Sequence, residues 1–267
     1  MRLTRAHYSV SLALAVFAGL VSACSPKHSE HEAAAAPGPV ITKWTYAGET
    51  GPDHWAQLGG KAVVCGTGTR QSPVDITGMT PQKTSAVQLS YNSVMATIQN
   101  TGKTIRVTPQ DGGALVLDGV SYGLKYIEFH SPSEHAINGH RATLESQFVH
   151  EDAKGDTVVV AVLYDVGVAD PMLGSLWTYL PTDPGKPVPL NDLLINAQDL
   201  LPPTEDFYAY SGSLTTPPCT EGVTWLVYSS PLSVSAEQAD AFERLVGPNA
   251  RPMQKRNDRD YLHIAGT

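Results

Sequence analysis

The run Val158-Val-Val-Ala-Val-Leu163 is apolar at every position, so both faces of an extended chain through it are apolar. It reads as a central strand of a sheet that is covered on both sides. Further strand signals gather around it at 86–91, 104–108, 114–117, 125–130, 143–150 and 223–229, and the run itself extends over 157–164. Most are bounded by Gly, Pro, Asn or Asp. The abundance of Gly and Pro, 23 and 20 of 267 residues, also favours a β-rich chain with many turns over a helical bundle. The best helix spans 236–246. Ser235 and Gln238 form its capping box, Ala236, Ala239, Phe242 and Val246 fall at helical spacing, and Gly247 marks the stop. A shorter helix is expected to begin at Asn191 or Asp192. The fold class is therefore mainly β with a few short helices, in one domain over 44–267 that no repeat or second linker interrupts.

The first residues belong to export rather than to the fold. A basic start with Arg2 and Arg5, an apolar stretch over 10–21 and small residues before Cys24 make residues 1–23 a signal peptide. It is too short and wrongly flanked for a permanent membrane helix. The cysteine suits a lipoprotein-type signal, with Cys24 as the lipid attachment; an ordinary cleaved signal with an incidental cysteine is the alternative. Residues 24–43 are polar and rich in Ala and Pro and read as a flexible tether, with His28 and His31 as solvated linker residues. Loss of Arg2 and Arg5 with the signal takes the formal net charge from -8 to -10. Such a surface disfavours nucleic acid and anionic membranes, so a membrane tether runs through the Cys24 lipid. With Cys24 so used, Cys65 and Cys219 remain, and an exported chain most often joins two such cysteines. A loop of that length constrains the unfolded chain by about 4 to 5 kcal/mol in the entropic account.

Ten stretches, taken in order, resemble the α-carbonic anhydrases: Trp44-Thr-Tyr46, Gly51-Pro-Asp-His-Trp55, Cys65-Gly66, Gln71-Ser-Pro-Val-Asp-Ile76, Asn100-Thr-Gly102, 122–134, 144–150, Ser213-Leu-Thr-Thr-Pro-Pro218, Val223-Thr-Trp225 and Asn249-Ala-Arg-Pro252. Together they cover nearly all of the chain after the tether. The resemblance implies a large twisted sheet of about ten mostly antiparallel strands, with an active-site cone over its centre. It also places Cys65 and Cys219 where exported members of the family form a disulfide. Gln71 to Ile76 and Gly51 to Trp55 are expected to serve mainly as packing and turn elements.

That family holds zinc with three neutral histidines and leaves a fourth position for water. Here the three metal positions read Glu128, His130 and Gln147. Strand alternation puts Glu128 and His130 on one face, with Ile127 and Phe129 on the other, and groups Glu145, Gln147 and Val149. Tyr126 stands where the family places a Gln that orients an imidazole. Glu145 matches the carboxylate that backs the third ligand and now faces an amide. Lys103 occupies the position of a proton-shuttling histidine, and a lysine shuttles less well than an imidazole at neutral pH. Thr215 and Glu134 match the pair that orients zinc hydroxide. Val149, Val159, Leu214, Thr216, Val223 and Trp225 match the substrate pocket. His135, His140 and His150 lie on loop or opposite-face positions and are expected to be structural.

A carboxylate ligand lowers the net charge of a zinc site and opposes hydroxide on the metal. At ~4 Å and an effective dielectric of ~20, one unit charge is worth about 4 kcal/mol, or roughly three pKa units on bound water, as an upper-end figure. The leading expectation is a pseudoenzyme in which zinc is weakly held or absent, and a Glu128 to His130 contact fills the metal position. Its partner would be carbon dioxide, bicarbonate or another small ligand. The alternatives are a weakly active carbonic anhydrase with a modified metal site and a surface adhesion module. The expected location is the periplasm or the outer membrane, as a lipoprotein.

Overall fold

The computed structural model describes residues 43–82 and 86–265. The signal over 1–23, Cys24 and the tether up to Thr42 lie outside them. Among the described residues, thirteen strands form one sheet. Ten follow a single path: Val188–Pro189, Ala96–Asn100, Ile105–Pro109, Val120–His130, Leu144–Glu151, Thr157–Val166, Glu221–Tyr228, Phe207–Ser213, Leu262–Ile264 and Thr80–Gln82. Val87–Tyr91, Gly113–Leu117 and Leu232–Val234 attach beside it. Pairing is antiparallel except where Thr157–Val166 meets Glu221–Tyr228 and Leu232–Val234, and where Leu262–Ile264 meets Thr80–Gln82.

The all-apolar run lies mid-path and divides its residues between two cores. Val158, Val160 and Val162 pack with Ile127, Phe129 and Phe148 on one face. Val159, Ala161 and Leu163 pack with Val149, Val223 and Trp225 on the other. Full burial of each such side chain is worth about 1.5–3 kcal/mol, which is why this strand anchors the sheet.

The helix Ala236–Val246 forms with both arms of its Ser235/Gln238 capping box. The expected helix at Asn191 or Asp192 does not form. That stretch instead pairs Ile195 with Val94, and the Asn196 side chain caps a short 3-10 turn, Ala197–Leu200. Ala96–Asn100, Phe207–Ser213 and the shorter strands Thr80–Gln82, Val188–Pro189, Leu232–Val234 and Leu262–Ile264 add to the expected elements, as does the helix Pro171–Trp177. The helix carries a readable start, Asp170 capping Leu173 N–H at 2.8 Å and Pro171 in its first turn.

Cys65 and Cys219 are joined across 154 residues. The bridge packs against Trp55, whose ring meets Trp44 and Tyr46 edge to face and so brings the 44–46 segment to the mouth of the site. Among the described residues, no helix is long and apolar enough to cross a membrane.

Candidate functional site

Register across three central strands builds the site. Glu128 sits opposite Gln147 on one side and Arg106 on the other, while His130 sits opposite Glu145. A cavity of about 210 Å³ opens over this row. Glu128, His130 and Gln147 form its floor, and Val149, Val159, Leu214 and Trp225 line an apolar wall. Thr215, Thr216, Lys103, Arg106, Tyr126, Trp44 and Tyr46, with Thr101 and Thr104, complete the lining. Val223 is buried in the same core but does not line this cavity; it borders a separate depression with Gly155 and Glu221.

Contacts on the floor differ from expectation in two places. Glu128 does not turn to His130. Its Oε1 accepts from Arg106 Nε at 2.9 Å and Nη2 at 2.6 Å, and the guanidinium lies 4.1 Å over the Tyr126 ring. Direct cross-strand opposition makes Arg106 the nearer and stronger partner. Nor does Thr215 donate to Glu134. Gln147 Nε2 donates to Glu134 Oε2 at 2.8 Å, and Arg251 N–H donates to Oε1 at 2.9 Å, so each carboxylate oxygen has a donor other than Thr215.

His130 is 1% exposed. Its Nδ1 donates to the Asn249 carbonyl at 2.8 Å, since a carbonyl can only accept. Nε2 is buried without a partner, 3.8 Å from Glu134 Oε2. Burial works to lower the imidazole pKa, but nearby Glu134 and the Asn249 bond outweigh it and shift it upward.

Glu145 lies beneath the floor, fully buried, and accepts from Gln147 Nε2 at 2.9 Å. His135 holds it with the ring Nδ1 at 2.9 Å and the backbone N–H at 2.8 Å. Burial alone would raise the Glu145 pKa, yet His135 draws it down to about 2. The second His135 nitrogen meets Tyr210 Oη at 2.7 Å, and Tyr210 Oη meets Ser72 Oγ at 2.8 Å. His135 is thus a structural residue, as expected. His140 pairs with Asp165 on the surface, and His150 meets Tyr91 Oη at 2.9 Å on the other face of the sheet.

The zinc implied by the resemblance can be tested against these donors. A site of that kind needs three ligands with free lone pairs and little positive charge beside them. Here one carboxylate is engaged by a guanidinium, the amide nitrogen of Gln147 faces two carboxylates, and His130 Nε2 is the one imidazole nitrogen on the floor. That set does not fit a zinc ion held as in the family.

Sequence reasoning missed three residues that shape the site. Arg106 needed the strand register to be seen opposite Glu128. Asn249 and Arg251 were in hand as part of a motif, but their roles were not. Asn249 Oδ1 accepts from Ser131 N–H at 2.8 Å, and its Nδ2 donates to the carbonyls of Lys103 and Phe129, tying the rim to the floor. Arg251, 2% exposed, donates to Gln71 Oε1 and to the Ser72 and Cys65 carbonyls. The Gln71 stretch is therefore a packing element.

A family model for eukaryotic-type carbonic anhydrase matches residues 50–264. A carbonic anhydrase of Neisseria gonorrhoeae is 41% identical over 220 residues, spanning 82% of this chain and 86% of that protein. The structure of a hyperthermostable carbonic anhydrase from an active hydrothermal vent chimney aligns with a TM-score of 0.80 at 40% identity, covering 83% of this chain and all of the other. Dioscorin, solved as a complex with ascorbate, aligns with a TM-score of 0.76 at 32% identity, covering 84% of this chain and 99% of its own.

Proposed function

The chain belongs to the α-carbonic anhydrase family, and we propose that within it this is an exported pseudoenzyme that keeps the cup, has given up zinc-dependent carbon dioxide hydration and holds a small ligand. The carrying observation is the Arg106–Glu128 pair at a metal-ligand position. A histidine there would offer the metal a neutral lone pair, whereas this carboxylate already has a cation as its partner. Gln147 adds to it by donating to Glu134, the carboxylate that Thr215 would use to orient a hydroxide. A small ligand is consistent with the complex of dioscorin with ascorbate, in which a member of this fold holds a small organic molecule.

Metal analysis of the purified protein, paired with a carbon dioxide hydration assay, tests the reading. Zinc far below one per chain and hydration no faster than buffer are expected. Stoichiometric zinc that survives dialysis against a mild chelator would overturn it, as would hydration above buffer.

A second reading, a slow carbonic anhydrase with a modified metal site, is favoured by the apolar wall of Val149, Val159, Leu214 and Trp225 and by the relatives named carbonic anhydrase. The same pair of measurements separates the two. Export with a lipid on Cys24 is consistent with the Cys65–Cys219 bridge, since such bonds persist in oxidising compartments. Full-length protein that partitions into the aqueous phase of a detergent extraction would show that the lipid is absent.

A further inference from the structure

We propose that the cavity binds a small hydroxy acid, with a hydroxyl on His130 Nε2 at the floor and the carboxylate toward Lys103 at the rim. This rests on the reading that zinc does not occupy the floor. His130 lines the cavity, its Nε2 is buried and has no partner, and unmet buried polar atoms are rare in folded proteins. A hydroxyl can donate or accept, so it satisfies this nitrogen in either protonation state. Thr215 also lines the cavity, and its hydroxyl makes no bond to Glu134, whose oxygens accept from Gln147 and Arg251.

The charge at the rim points to an acid. Arg106 is neutralised by Glu128, whereas Lys103 forms no ion pair among the described residues and lies with Nζ 5.1 Å over the Trp44 ring. In a chain of net charge -8, this leaves an unneutralised cation at the mouth of a pocket. The wall of Val149, Val159 and Trp225 suits carbon atoms between the two polar ends. At about 210 Å³ the cavity is several times a water's share of liquid volume, about 30 Å³, so it has room for a small organic molecule. A plain monocarboxylate held by the lysine has no second polar group for the floor nitrogen, and a plain alcohol would leave the lysine unmet.

Calorimetric titration of the chelator-treated full chain with L-lactate, D-gluconate, propionate and bicarbonate tests this. The two hydroxy acids should bind at least about tenfold more tightly than propionate or bicarbonate. Lys103→Met, a change at the rim, should weaken both hydroxy acids by about tenfold or more, and His130→Phe should abolish their advantage over propionate. If His130→Phe does not fold, the Lys103→Met comparison decides alone. Zinc-free protein that ignores the hydroxy acids, binds propionate or bicarbonate as tightly, or keeps its affinity in Lys103→Met would overturn the proposal and leave the reading of a zinc-free cup standing. Protein that retains stoichiometric zinc and excludes the hydroxy acids would overturn both.

Discussion

Arg106 and Glu128 face each other across adjacent antiparallel strands, and two guanidinium nitrogens converge on one carboxylate oxygen at 2.9 and 2.6 Å. The Arg106 side chain is 36% exposed and that of Glu128 15%, so solvent screens the pair substantially. A double-mutant cycle with Arg106→Leu and Glu128→Leu should therefore give a coupling of about 0.5–1 kcal/mol in urea unfolding. No measurable coupling would show that the pair does not persist in solution.

Gln147 bridges two buried carboxylates with one amide nitrogen, at 2.8 Å to Glu134 and 2.9 Å to Glu145. Replacing it with Leu leaves each carboxylate one donor short. Hydrogen bonds to charged groups contribute about 1.5–3 kcal/mol each, so Gln147→Leu should lose about 3 kcal/mol or more of unfolding free energy. Gln147→Glu should lose more, because it places a third acid beside the two. A loss below about 0.5 kcal/mol for the Leu variant, within the range of ordinary surface changes, would contradict this account of the bridge.

Acid should destabilise the fold through His150. Burial lowers its pKa from 6.5 to about 4, against the weaker upward pull of the Phe148 and Val158 backbone. Between these values the unfolded chain takes up a proton that the folded chain refuses. The stabilisation is thus complete above pH 6.5 and is lost as pH falls toward 4, by about 3 kcal/mol in all. His150→Phe should flatten that part of the stability curve relative to the parent. Equal slopes in the two proteins would assign the acid sensitivity elsewhere.

How far the sequence disclosed this site depends on the kind of contact. The all-apolar 158–163 run and the alternation of Ile127, Glu128, Phe129 and His130 are one-dimensional patterns, and the two faces follow them. The capping box of Ser235 and Gln238 is likewise local. The partner of Glu128 is not local. Arg106 lies 22 residues away and becomes its neighbour only through a register that no single strand specifies. The bond from Gln147 to Glu134 instead of one from Thr215 is a competition between donors, and side-chain geometry decides it. The strand Phe207–Ser213 was missed because Ser211 and Gly212 weaken its pattern, yet its pairing with Glu221–Tyr228 places Tyr210 against His135.

Restoring zinc should take three changes. Glu128→His and Gln147→His supply the missing imidazoles, and Gln147→His also removes the amide that donates to Glu134, leaving Oε2 to other donors. The same double change strips Arg106 of its partner and leaves a guanidinium over Tyr126 at the edge of the cavity. At ~5 Å from a metal and an effective dielectric of ~20, one positive charge opposes each unit of metal charge by about 3 kcal/mol, before solvent screening reduces it. The double variant should therefore bind zinc weakly. Adding Arg106→Gln should tighten zinc by about tenfold to a hundredfold, the part of that repulsion that survives screening. Carbon dioxide hydration should rise with zinc occupancy in the triple variant, because Val149, Val159, Leu214 and Trp225 already form the wall. Tyr126→Gln should tighten the metal further through an orienting hydrogen bond, and Lys103→His should raise only the proton-transfer step. Zinc titration and hydration assays on the double and triple variants decide the point. If the double variant alone binds zinc as tightly as the triple, Arg106 does not act on the metal, and the two ligand positions account for the whole loss.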